Sequence, residues 1–133
     1  MIDEDVSFPL RVACVDMGSN AIRFLAAEFS SEAEYAALAS ERVPVRLGHG
    51  VYLSGRLERA AMDAAVATLE RFRSQMAELG VEHYRAVATS AVRESTNGDA
   101  FIERVRSAAG IELEAISGSE ETRLVHLAVA HRL

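Results

Sequence analysis

Three short segments of this chain carry residue types suited to chemistry on phosphate. The first is Asp16-Met17-Gly18-Ser19-Asn20. An acid at the C-terminal end of a central strand points into the crevice where open α/β sheets bind ligands. The Gly-Ser-Asn turn behind it offers backbone N–H groups and two small polar side chains. Such a nest suits a phosphate oxygen or a hydrated Mg²⁺. The same five residues also make a good hairpin turn and nothing more.

The second segment is Thr89-Ser90-Ala91-Val92-Arg93, just past a strand pattern. Arg93 can fork onto a phosphate or pair with Glu94 at the surface. The third is Ser117-Gly118-Ser119-Glu120-Glu121-Thr122-Arg123. Ser117 and Glu120 have the spacing of a capping box, which gives Glu120 a structural task. Glu121 stands about 100° further round the helix, free to face the strand ends and to deprotonate a water. Otherwise both acids merely complement the helix dipole.

Other reactive residue types look inert. His49, His83, His126 and His131 lack metal-ligand spacing. Ser19 and Ser90 have no His–Asp pair to activate them. Cys14, on an apolar run, reads as a small core residue.

The elements that must position these segments follow from hydrophobic periodicity. Arg11 to Asp16 reads as a central strand buried on both faces. Ala21 to Phe29 reads as a second strand, paired with the first as an antiparallel hairpin. Tyr35 to Leu47 reads as a third. Gly48, Gly50 and Gly55 mark a loop. Met62, Ala65, Leu69, Phe72, Met76 and Leu79 recur at spacings of three and four, the stripe of an amphipathic helix stopped at Gly80. Tyr84 to Thr89 is a fourth strand. Asn97 caps a helix that runs to Ala109 and ends at Gly110. Glu112 to Ile116 is a fifth strand, and Ser117 opens a last helix. The expected order is β-β-β-α-β-α-β-α, an α/β fold with a five-stranded mixed sheet and helices packed on it.

Composition narrows the function classes. The chain has 133 residues, half of them hydrophobic, enough for one domain with a core. Its net charge of −6 argues against non-specific nucleic-acid binding. No apolar run reaches the ~20 residues of a membrane span, and Asp3, Glu4 and Asp5 stand where a secretory signal would be basic. A cytoplasmic location is therefore expected. A single cysteine excludes an intrachain disulfide. All 14 basic residues are Arg, which removes Schiff-base and Walker-lysine chemistry.

Four segments together resemble one family. Val12 to Phe29 (VACVDMGSNAIRFLAAEF), Arg46 to Leu57 (RLGHGVYLSGRL), Ala86 to Glu94 (AVATSAVRE) and Ile116 to Leu124 (ISGSEETRL) are similar, in order, to the exopolyphosphatase and guanosine pentaphosphate phosphohydrolase (Ppx/GppA) family. The resemblance implies a ribonuclease-H-like domain of the actin-like ATPase superfamily. The likeness runs from Val12 onward, and residues 10–133 are expected to form the first of two domains, after a disordered tail over 1–9. The family's second phosphate loop, Asp-x-Gly-Gly-Gly-Ser, has no counterpart among the eight glycines here, no two of which are adjacent. By the same resemblance, Asp16 holds a metal and Gly18, Ser19, Asn20 and Arg93 hold phosphate. Glu121 activates the attacking water, and the cofactor is Mg²⁺.

The activity so implied is hydrolysis of a terminal phosphoanhydride of polyphosphate or guanosine pentaphosphate by the complete protein, the fragment alone being inactive. The alternative is a non-catalytic phosphate- or nucleotide-binding regulatory module of the same fold. With one wall of the cleft missing and the apolar pattern Leu124 to Leu133 uncapped, a homodimer or swapped oligomer is also expected.

Overall fold

A computed structural model describes residues 7–120 and Arg123. The strands are β1 (Leu10–Met17), β2 (Ala21–Phe29), β3 (Tyr35–Pro44), β4 (His83–Ala88) and β5 (Leu113–Ala115). The helices are α1 (Leu47–Ser54), α2 (Arg59–Glu78), α3 (Ser90–Glu94) and α4 (Gly98–Ala109). The strands form one sheet in the order β3-β2-β1-β4-β5. β1, β2 and β3 pair antiparallel, whereas β4 lies parallel to β1 and β5 parallel to β4. This is the mixed, ribonuclease-H-like architecture expected.

The core lies on one face of the sheet. Val15, Met17, Ile22 and Phe24 meet the α2 stripe of Leu69, Phe72 and Met76, and α4 adds Phe101 and Val105. The rings of Phe24 and Phe72 stack with centroids 4.8 Å apart. α2 ends as its sequence requires: Gly80 takes a φ of +67°, and Val81 N–H reaches back to the Met76 carbonyl at 2.9 Å.

Three expectations need correction. β1 is not buried on both faces: Ala13, Val15 and Met17 are buried, but Cys14 is exposed and Val12 and Asp16 are half-buried. A short apolar run does not reveal how many faces are covered, and small residues such as Cys14 tolerate either. The segment read as a glycine loop is helix α1. Its glycines serve close packing: a Cβ on Gly48 would stand 2.9 Å from the Ser19 Cβ, and one on Gly50 would meet Glu58 at 2.4 Å. Asn97 occupies the N-cap position of α4, but its side chain makes no cap bond. Instead its amide clamps Leu57, accepting from the N–H at 2.8 Å and donating to the carbonyl at 3.1 Å. The short helix α3 was also not foreseen. The last helix does begin after Ser117, with residues 118–120 helical; Leu124 to Leu133 and the tail residues 1–6 lie outside the described residues.

Candidate functional site

The first two segments come together because β1 and β4 are parallel neighbours. Their C-terminal ends, Met17 and Ala88, are register partners. The chain leaving β4 is stitched to the end of β1: Thr89 donates from its N–H (3.0 Å) and its hydroxyl (3.4 Å) to the Met17 carbonyl. The Ser19 and Ser90 hydroxyl oxygens consequently stand 3.5 Å apart. Helix α1 closes the loop from the other side, the Gly48 N–H donating to the Ser19 carbonyl at 2.9 Å. The loop is thus held from β4 and from α1.

Within the loop the expected ligands differ in role. Gly18 N–H is spent on the hairpin itself, bonded to the Ala21 carbonyl at 3.0 Å. Among the described residues, the N–H groups of Ser19 and Asn20 donate to no protein acceptor. Two adjacent free donors flanked by the Ser19 hydroxyl are the raw material of an anion nest. Asp16 sits half-buried at the end of β1. Burial pushes its carboxyl above the ordinary value, opposed in part by the charge of Arg23 on the neighbouring strand.

Arg93 lies on α3, whose Ala91 and Val92 are buried. One guanidinium nitrogen donates to the Ile116 carbonyl at 2.5 Å, and the other stands 3.5 Å from Glu94. Both the surface pairing with Glu94 and a second, backbone contact are therefore present. A guanidinium has five N–H donors, so these two contacts leave it able to receive a phosphate. The bond to Ile116 also ties α3 to the end of β5, where the third segment begins.

In that third segment Ser117 caps the helix start, its hydroxyl accepting the Glu120 N–H at 3.1 Å. Half of the capping box is formed as expected. The Glu120 carboxylate is engaged elsewhere, bonded by Arg123 at 2.6 and 3.0 Å and 3.6 Å from Arg85. The Arg123 hydrogen bond holds its carboxyl below the usual range. Glu121 lies outside the described residues.

Sequence reasoning missed Ser90 as a neighbour of Ser19, and missed α1 and Asn97 as supports. Gly48 and Gly50 hid α1, because glycine is a poor helix former and their reason is a tertiary contact. Nothing local signals a contact such as Asn97 to Leu57, 40 residues apart.

The profile of the Ppx/GppA phosphatase family matches residues 28–133. The chain belongs to this family. It is 31% identical over 120 residues to exopolyphosphatase 1 of Mycobacterium tuberculosis, covering 90% of this chain and 35% of that one. It is 30% identical over 119 residues to the guanosine-5'-triphosphate,3'-diphosphate pyrophosphatase of Vibrio vulnificus, covering 90% of this chain and 24% of that one. The crystal structure of the Aquifex aeolicus Ppx/GppA family member superposes with a TM-score of 0.87 at 31% identity, over 93% of this chain and 40% of that chain. The chain therefore spans only about a quarter to two-fifths of the length of these Ppx/GppA relatives.

Proposed function

We propose that the protein hydrolyses a terminal phosphoanhydride of inorganic polyphosphate or guanosine pentaphosphate, with this chain supplying one wall of the cleft. The observation that carries the reading is the junction of the two loops. Ser19 and Ser90 are 3.5 Å apart, beside the free N–H groups of Ser19 and Asn20. The relatives' names as exopolyphosphatase and guanosine-5'-triphosphate,3'-diphosphate pyrophosphatase support it. In this reading the loop cradles the terminal phosphate, and the remaining donors of Arg93 offset charge as the bond breaks. Glu121 takes the proton of the attacking water, a role typically worth 10²–10⁴-fold.

Mg²⁺ fits the residues present in one way. Among the described residues no group of three or more His, Cys, Asp and Glu can hold a metal ion. Among the described residues Asp16 is the carboxylate at the end of β1 that leads into the loop, which suits an ion held by a carboxylate, waters and substrate phosphates rather than by a protein cage. When bound, Mg²⁺ neutralises phosphate charge.

The decisive experiment compares the two adjacent acids in a two-domain protein carrying this chain. Glu121→Gln keeps size and removes the basic lone pair. It is expected to lower kcat by about 10²–10⁴-fold with KM nearly unchanged. Glu120→Gln is expected to change kcat far less, because that side chain faces Arg123 and Arg85. Equal activity of both variants removes the proposed base. The 133-residue chain alone is expected to release no phosphate from polyphosphate, since catalysis needs both walls held in place.

A further inference from the structure

The row of side chains that starts at Asp16 continues across the sheet. Asp16 on β1 is the register partner of Arg23 on β2, and Arg23 is the partner of Arg42 on β3. Directly opposed residues of neighbouring strands share a face. All three therefore line the face opposite the Val15 and Phe24 core. Arg23 and Arg42 are both exposed.

This arrangement costs the fold something. Like charges directly opposite one another destabilise a sheet. Among the described residues, no carboxylate lies within ion-pair distance of Arg42. Elsewhere the sheet pairs its arginines: Arg11 meets Glu28 at 3.0 Å and Arg85 meets Glu114 at 3.5 Å. The adjacent Glu41 is bound by Arg71. In a chain with 20 acids and 14 arginines, two opposed arginines without a shared acid are not explained by a shortage of carboxylates.

We propose that Arg42, with Arg23 beside it, forms a second anion subsite that carries phosphates following the one in the Ser19 loop. The inference rests on the phosphohydrolase reading above. Strands lie about 4.8 Å apart, so β3 is roughly 10 Å from β1 across the sheet. Arg42 thus stands two strands from Asp16 and adds a cation along the row, where a chain of phosphates leaving the Ser19 loop can meet it. The occupant is a linear polyanion, and the subsite favours it over a lone phosphate.

The test is calorimetric titration of the 133-residue chain with orthophosphate, tripolyphosphate and long-chain inorganic polyphosphate, at several salt concentrations. Arg42→Thr is expected to weaken polyphosphate binding about five- to tenfold and to reduce the slope of log K against log salt by roughly 0.7, one released counterion. Orthophosphate affinity stays as in the wild type, and the Tm of the free variant rises because the like-charge contact is gone. Arg42→Lys restores polyphosphate binding. Unchanged polyphosphate affinity and salt slope in Arg42→Thr overturn the subsite. So does a wild-type chain that binds orthophosphate but gains nothing from longer chains, and both outcomes leave the phosphohydrolase reading standing. A wild-type chain that binds none of the three overturns the subsite as well, whereas the phosphohydrolase reading stands or falls separately, with Glu121→Gln in the two-domain protein.

Discussion

The two faces of β1 are built to different ends. On one, Ala13, Val15 and Met17 are at most 5% exposed and pack into the core with Phe24 and Phe72. On the other, Val12, Cys14 and Asp16 keep contact with solvent or with charge. A strand turns successive side chains to opposite faces, so from Val12 to Met17 the segment divides its labour by parity, whereas before that stretch Leu10 is buried and Arg11 is half-buried and paired with Glu28. Over Val12 to Met17 the odd positions hold the fold and the even positions carry the side chains left in contact with solvent. The division lets the loop at Gly18 to Asn20 emerge from a rigid strand, and rigid support is what positions catalytic groups.

The strongest way to break the comparison is to damage the odd face. Phe72 is fully buried and stacked on Phe24. Phe72→Ala is expected to cost about 3–5 kcal/mol, from lost burial and the cavity left behind. Urea denaturation followed by circular dichroism measures it. A cost below about 1 kcal/mol would mean that the α2 stripe does not anchor this sheet.

A second, smaller effect has the opposite sign and belongs to the even face. Burial raises the Asp16 carboxyl, and Arg23 offsets this only in part. The folded state therefore prefers Asp16 protonated. Its contribution to stability is fully present below the ordinary carboxylate value and is lost as pH rises through the raised one. At neutral pH the wild type bears the cost of a half-buried charge. Asp16→Asn removes that cost, so its Tm is expected to exceed the wild type's at pH 7 and to converge with it in acid. In a two-domain protein the same variant is expected to lose metal-dependent activity. Thermal melts across pH check the first part, and a Tm gain that persists unchanged at pH 3 refutes it.

How much of this was legible in the sequence depended on whether a signal was local. The limits of β2 were read in full from its apolar run between two polar turns, and α2 was read from its periodic stripe. The loop containing Asp16 and the strand leading to Arg93 were likewise visible, because strand ends in an α/β order fall on predictable edges. What stayed hidden depends on distant partners. Gly48 looks like a helix breaker until Ser19 is seen against it. Asn97 looks like an N-cap until Leu57 is seen beside it. Cys14 looks buried because its neighbours are apolar, although exposure is set by which face the helices cover. The Arg23 and Arg42 opposition depends on a strand register that includes a shift between Ala26 and Ala27, which no count of alternating residues reveals.

The smallest expected effect sharpens the comparison within the even face alone. Cys14 and Asp16 are two residues apart on one strand, so they share a face. Desolvation pushes the Cys14 thiol above its ordinary value, and the Asp16 charge pushes it further in the same direction. The thiolate is the nucleophile. An exposed cysteine on this face is therefore expected to alkylate slowly at neutral pH, more slowly than an unstructured thiol. Asp16→Asn removes the second cause and leaves the first. Iodoacetamide modification of the variant is expected to run faster than that of the wild type, because the neighbouring charge no longer disfavours the thiolate. An odd-face substitution, Val15→Ala, lacks any charge to remove and is expected to leave the native-state rate unchanged under conditions where the chain remains folded. If Asp16→Asn leaves the rate unchanged and Val15→Ala raises it, access through local unfolding rather than the neighbouring charge controls this thiol. The even face would then be less distinct from the core than its exposure indicates.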